Sequence, residues 1–127
     1  SGLLNPYQAP GKIVRMTSAG TLSLCYDVRI LAEYREVLAR PKFKFHPSHV
    51  NALLEQIRAD GELVAANPLQ ERLPDPNDEM FLEVALAGQV RCLVTGNLKH
   101  YPASKRQGMP VLSPVQLLEI SHEKGEK

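Results

Sequence analysis

A chain of 127 residues, 43% of them hydrophobic, has the length of one domain and enough apolar material to bury a core. Its 15 basic and 14 acidic residues leave a net charge of +1, so nothing in the overall balance demands a nucleic-acid partner, while a local basic patch on one face can still bind phosphates. Cys25 and Cys92 lie singly inside apolar runs without CxxC or Cys/His spacing, which argues against a structural zinc site or a disulfide scaffold and fits a reducing, cytoplasmic setting.

No apolar stretch reaches transmembrane length, so no membrane association is expected. Taken in chain order, the segment from Ala9 to Met16 can open a short helix ending near Gly20, and TLSLCY then reads as a strand. Asp27 stands at an N-cap position. From Val28 the apolar residues Ile30, Leu31, Tyr34, Val37 and Leu38 recur at helical spacing, until Arg40-Pro41 ends the helix. PKFKFHPSHV is a turn with Ser48 as the expected cap, and one of Phe43 and Phe45 is expected to pack. Val50, Leu53, Leu54 and Ile57 form the stripe of the next helix, which Asp60-Gly61 stops.

ELVAA is a short strand, and NPLQERLP links it to LPDPNDEMFLEVALAG, where Asp75-Pro76 reads as an N-cap followed by proline at the first helical position. Gly88 closes that helix and RCLVT follows as a strand. A basic loop, GNLKHYPASKRQG, leads to a last strand in MPVLS and to a terminal helix packed by Leu117, Leu118 and Ile120, with EKGEK as a frayed tail. Short apolar strands alternating with amphipathic helices predict a three-layer α/β/α sandwich with a central parallel sheet, formed by right-handed crossovers.

The third of these helices carries an anomaly. At about 100° per residue, Leu82, Ala85, Phe81 and Leu86 surround Asp78, which places a carboxylate in the middle of the apolar arc. A carboxylate turned toward a core is strongly disfavoured unless it is paired or coordinates a metal. Glu79 and Glu83 fall on the opposite flank and read as solvated acids. Glu33 is the acid of its helix closest to the apolar stripe.

In a parallel α/β sheet, ligands bind outside the carboxyl ends of the strands. Glu33 follows TLSLCY by about two helical turns, Asp78 begins the helix after ELVAA, and Asn97 comes directly after RCLVT, so the three converge on one edge. Asn97 is either a turn residue or, in that company, a ligand or water-positioning amide. Oxygen donors of this kind suit Mg²⁺ or Mn²⁺, and the chemistry they point to is metal-assisted hydrolysis of a phosphodiester. His46, His49, His100 and His122 show no ligand spacing and read as loop or surface residues. No P-loop, GxGxxG or GxSxG motif is present.

The segments ILAEYREVLARPKF, LPDPNDEMFLEVALAG, CLVTGNLKHYP and VLSPVQLLE occur in an order and spacing that resembles a PIN-domain protein, of the group described as toxins of toxin–antitoxin systems. The resemblance spans essentially residues 1–127 as a single domain. It implies a metal-dependent endoribonuclease cutting single-stranded RNA, with Glu33 as the second acid, Asp78 as the third, Asn97 in the place of a fourth, and Asp75 as a cap or additional ligand. It also implies an antitoxin as partner and a homodimeric assembly. Lys99, His100, Lys105 and Arg106 are the candidate contacts to RNA phosphates. In such proteins a first strand ending in aspartate precedes a segment like SGLLNPYQAPGKIV, so the expectation is that this central strand and its acid lie before residue 1 and leave a gap in the sheet. The neutral Asn97 and the absent aspartate make a PIN-like module that binds a protein or RNA without cleavage the alternative.

Overall fold

A computed structural model describes residues 2–6 and 24–125, with side chains described through residue 120 except that of 118. The helix expected within residues 9–20, the first three residues of TLSLCY, and the side chains of Leu118 and His122 lie outside the described residues.

Among the described residues five strands form, and their ladders are parallel. β1 (Gly2–Leu4) pairs with β4 (Cys92–Val94) from Gly2↔Cys92 to Leu4↔Val94, and β4 pairs with β5 (Val111–Leu112). β2 (Cys25–Tyr26) pairs with β3 (Glu62–Leu63), and a single parallel bridge between Gly2 and Leu24 joins the two ladders. The resulting spatial order is β3-β2-β1-β4-β5. The central position expected to be a gap is therefore filled by Gly2–Leu4, with Leu3 and Leu4 fully buried as a strand covered on both faces requires. Asn5 prolongs this ladder, donating its backbone N–H to Val94 O at 2.8 Å.

Helix α1 (Val28–Leu38) is capped by Asp27, whose Oδ1 accepts the Ile30 N–H at 2.9 Å, and it buries Ile30, Tyr34, Val37 and Leu38 as its periodicity predicts. Helix α2 (Pro47–Asp60) buries the predicted stripe of Val50, Leu53, Leu54 and Ile57. Its cap is His46, whose Nδ1 accepts from Ser48 N, rather than Ser48 itself. Gly61 ends α2 at an ordinary negative φ of −85°, so the left-handed stop expected of glycine is not used. Glycine is needed there because a Cβ would lie 2.7 Å from Leu24 O, where β2 and β3 meet.

Asp75 caps a 3₁₀ turn at Pro76–Asp78, which runs directly into α3 (Glu79–Ala87). Phe81, Leu82, Val84 and Ala85 are fully buried, and α3 packs across β1, β2 and β4 as well as against α1. Helix α4 (Pro114–Gly125) packs on β5 through Leu117, whereas Ile120, expected to pack, is exposed. Of the phenylalanine pair, Phe45 packs against the core and Phe43 lies under Lys42 Nζ, 5.1 Å from its ring centroid. The predicted α/β fold with a central parallel sheet is thus present. Among the described residues no helix is long and apolar enough to cross a membrane.

The strand order fixes where a ligand can sit. From β1 the chain proceeds to β2 on one side, while the crossover carrying α3 returns past β1 to β4 on the other. This reversal puts the carboxyl ends of β1 and β4 side by side, and the edge beyond such strand ends is where parallel sheets bind ligands. Asn5 and Thr95 stand at those two ends, both buried, and Asp78 begins the helix lying over them.

Candidate metal centre

Asp78 is only 1% exposed, so the carboxylate that the helical projection directs inward is indeed buried. Its Oδ1 accepts a hydrogen bond from Asn5 Nδ2 at 2.9 Å. Its Oδ2 faces His100 Nδ1 at 2.9 Å, an ion pair when the imidazole is protonated, but has no aligned hydrogen-bond donor. Burial pushes the Asp78 carboxyl above its ordinary pKa, against the hydrogen bond from Asn5 and the charge of His100, while the neighbouring Asp75 adds to the rise. A buried carboxylate with one oxygen incompletely satisfied is the group that a cation would complete.

Asp75 and His100 supply the surroundings. Ligand atoms of Asp75, Asp78 and His100 lie within 4.8 Å of one another, which fits a shared ion of small radius. The Asp75 Oδ1 also accepts the Asn77 N–H at 2.9 Å, so cap and cluster member are the same residue. His100, read from sequence as a loop or surface residue, has a side chain 29% exposed, with Nδ1 turned onto Asp78. The imidazole adds a nitrogen to the all-oxygen donor set expected from sequence, while the two carboxylates keep the set suited to a hard divalent cation.

Two buried residues complete the centre and were not singled out by sequence. Asn5 Nδ2 donates to Tyr101 Oη at 2.7 Å as well as to Asp78, and the Tyr101 hydroxyl donates to the backbone carbonyl of Asp78 at 3.3 Å. The available signals were slight: a single polar residue ending the run Gly2-Leu3-Leu4, and an aromatic residue following a histidine in KHYP.

Glu33 sits half-buried on α1 and does not belong to the clustered trio. Asn97 has extended backbone, φ −140°, not the left-handed turn weighed for it, and its Oδ1 caps the 3₁₀ turn Leu98–His100 by accepting Lys99 N–H at 3.1 Å. Lys99 is exposed and Lys105 is half-buried. Arg106 is tied into its loop, Nε donating to Tyr101 O at 2.7 Å.

Glu79 and Glu83 are not solvated acids. Their side chains are 13% and 12% exposed, because the linker before α3 lies over that flank. Glu79 accepts Leu73 N–H and Arg72 Nε, each at 2.9 Å, and Glu83 accepts Leu69 N–H at 3.3 Å and pairs with Arg29 at 2.8 Å. The hydrogen bond from Leu73, with Arg72 beside it, lowers the Glu79 pKa. The two acids strap the linker to α3 and thereby hold Asp75 at the centre.

A family model described as PIN domain matches residues 1–99, which takes in β1 through the turn that precedes His100. No curated protein matches the chain.

Proposed function

The chain belongs to the PIN-domain family, whose members are generally nucleases, and we propose that it is a metal-dependent endoribonuclease using the centre at Asp78. The observation that carries this reading is the buried Asp78 carboxylate, whose Oδ2 lacks an aligned donor while Asp75 and His100 stand within ligand reach. These three residues would hold Mg²⁺ or Mn²⁺. When bound, such an ion supplies Lewis acidity that activates water and stabilises charge on phosphorus.

The chain's own residues prepare the rest. Asp78, fixed between Asn5 and His100, holds a buried carboxylate beyond the carboxyl ends of β1 and β4, and Asp75 adds a second carboxylate from the preceding turn. His100 Nδ1, 2.9 Å from Asp78 Oδ2, would be the third ligand beside the two carboxylates. Lys99, Lys105 and Arg106 follow on the loop after β4 and supply positive charge for the phosphates flanking the scissile bond. Membership among toxins, with an antitoxin partner covering the acidic centre and a homodimeric assembly, is the finer form of this proposal.

The test is cleavage of an unstructured RNA with Mn²⁺ by the wild type and by Asp78→Asn. Cleavage by the wild type alone supports the reading; equal cleavage by both defeats it. The presence of an amide at Asn5, where a carboxylate would strengthen the donor set, favours a second reading as a module that binds RNA without cutting it. RNA binding without cleavage by either protein would select that one.

A further inference from the structure

Asn5 grips Asp78 at two points through one amide group. Its Nδ2 donates to the carboxylate Oδ1 at 2.9 Å and to Tyr101 Oη at 2.7 Å, and the Tyr101 hydroxyl in turn donates to the Asp78 main-chain carbonyl at 3.3 Å. Three distant segments close this ring: the carboxyl end of β1, the loop after β4, and the turn that begins α3. Each is anchored by its own backbone. Asn5 N–H bonds to Val94 O at 2.8 Å, Tyr101 N–H to Leu98 O at 3.1 Å, and Asp78 N–H to Asp75 O at 3.1 Å. All three side chains are buried, so no solvent competes for the contacts.

Resting on the reading of Asp78 as a metal ligand, we infer that Asn5, supported by Tyr101, is a positioning residue that sets the plane of the Asp78 carboxylate. The terminal torsion of aspartate is broad, and an unbonded carboxylate would rotate between orientations. With Oδ1 held by Asn5, Oδ2 is the oxygen directed toward His100, in the cluster that Asp75 completes. The residue type matters. An amide donates without adding charge, an apolar side chain would leave Oδ1 bare, and a carboxylate at position 5 would repel Asp78 in the absence of a cation. Metal-ligating carboxylates commonly depend on such hydrogen-bonding partners for affinity.

The experiment is Mn²⁺ titration followed by electron paramagnetic resonance on the full chain, as wild type, Asn5→Leu and Tyr101→Phe, with circular dichroism reporting the fold of each. Asn5→Leu is expected to weaken Mn²⁺ binding about 10–100-fold, the usual effect of removing a partner of a metal ligand. Tyr101→Phe keeps the ring and the Asn5 to Asp78 bond, so its loss of affinity is expected to be smaller but measurable. A folded Asn5→Leu protein with wild-type Mn²⁺ affinity overturns the inference and leaves Asn5 a packing role. Should Asn5→Leu not fold, Tyr101→Phe decides: weakened binding supports the inference, and unchanged binding overturns it. A wild type that binds no Mn²⁺ overturns the metal reading itself, an outcome distinguishable because all three proteins then give the signal of free Mn²⁺.

Discussion

Replacing Asp78 by asparagine is expected to make the metal-free protein more stable. The carboxylate is 1% exposed and has one well-aligned hydrogen bond, from Asn5, where an ionised carboxylate can accept about four. The effective penalty for a buried ion is several kcal/mol, of which the charge-assisted bond from Asn5 and the His100 pair offset the larger part. Asparagine keeps an oxygen for Asn5 and turns an amide N–H₂ toward His100 Nδ1, which accepts it when neutral. The net gain is about 1 kcal/mol, the ordinary size for relieving strain at a functional position. For a domain of this size that raises the melting temperature by about 3–5 °C. With Mn²⁺ at about 100 times its dissociation constant, the wild type gains about 2.7 kcal/mol and overtakes the variant, which has lost a ligand. Differential scanning calorimetry at neutral pH, first in EDTA and then in excess MnCl₂, reads both effects. A variant less stable than wild type in EDTA, or raised by Mn²⁺ as much as wild type, would refute the reasoning.

The other expectations concern separate parts of the molecule. Glu79→Ala leaves the Leu73 N–H without its acceptor and is expected to destabilise by about 1–3 kcal/mol in urea unfolding, with little of it from the exposed Arg72. Asn97→Ala removes a cap and should lower stability by about 1 kcal/mol, while unchanged Mn²⁺ affinity by calorimetric titration would show that its oxygen serves only Lys99 N–H. Burial raises the pKa of Cys25, where Glu62 adds to the rise, and of Cys92, and it raises that of Tyr34 still more strongly. Each folded state then holds its proton longer than the unfolded chain. The contribution of these groups is therefore fully present below the unfolded thiol pKa of about 8.5 and falls as pH rises above it. Urea midpoints at pH 8 and pH 10 should differ in that direction, and a midpoint that rises with pH would contradict it.

The parts of the molecule read from sequence are those governed by periodicity. Val28–Leu38 and Pro47–Asp60 announce themselves through stripes of apolar residues, and their buried sets match the stripes except for Leu31, which is half-buried. Asp78 was legible for the same reason, since a charge within an apolar arc breaks a pattern. His100, Tyr101 and Asn5 were not. They come from a loop and a strand end, where no period constrains the side chains, and they meet Asp78 across 73 positions in the case of Asn5 and 23 in that of Tyr101. The projection failed for Glu79 and Glu83 because it treats the outer flank of a helix as solvent, whereas the linker at residues 69–73 covers it. His46 takes the cap position because the helix starts at Pro47, one residue ahead of Ser48, and its imidazole Nδ1 accepts the Ser48 N–H. The resemblance puts the central strand before SGLLNPYQAPGKIV, whereas Gly2–Leu4 themselves pair with β4, a register that three residues carry too little pattern to announce.

The central claim, that Asp75, Asp78 and His100 share a divalent cation, is tested most directly by paramagnetic broadening in a ¹H–¹⁵N correlation spectrum with substoichiometric Mn²⁺. Broadening falls steeply with distance from the ion. Signals of Asp75, Asp78, His100, Tyr101 and the Asn5 side-chain amide are predicted to disappear first, while those of α2 and α4 persist. Broadening centred on the exposed acids of α2 or α4, with the Asp78 signals retained, would contradict the account.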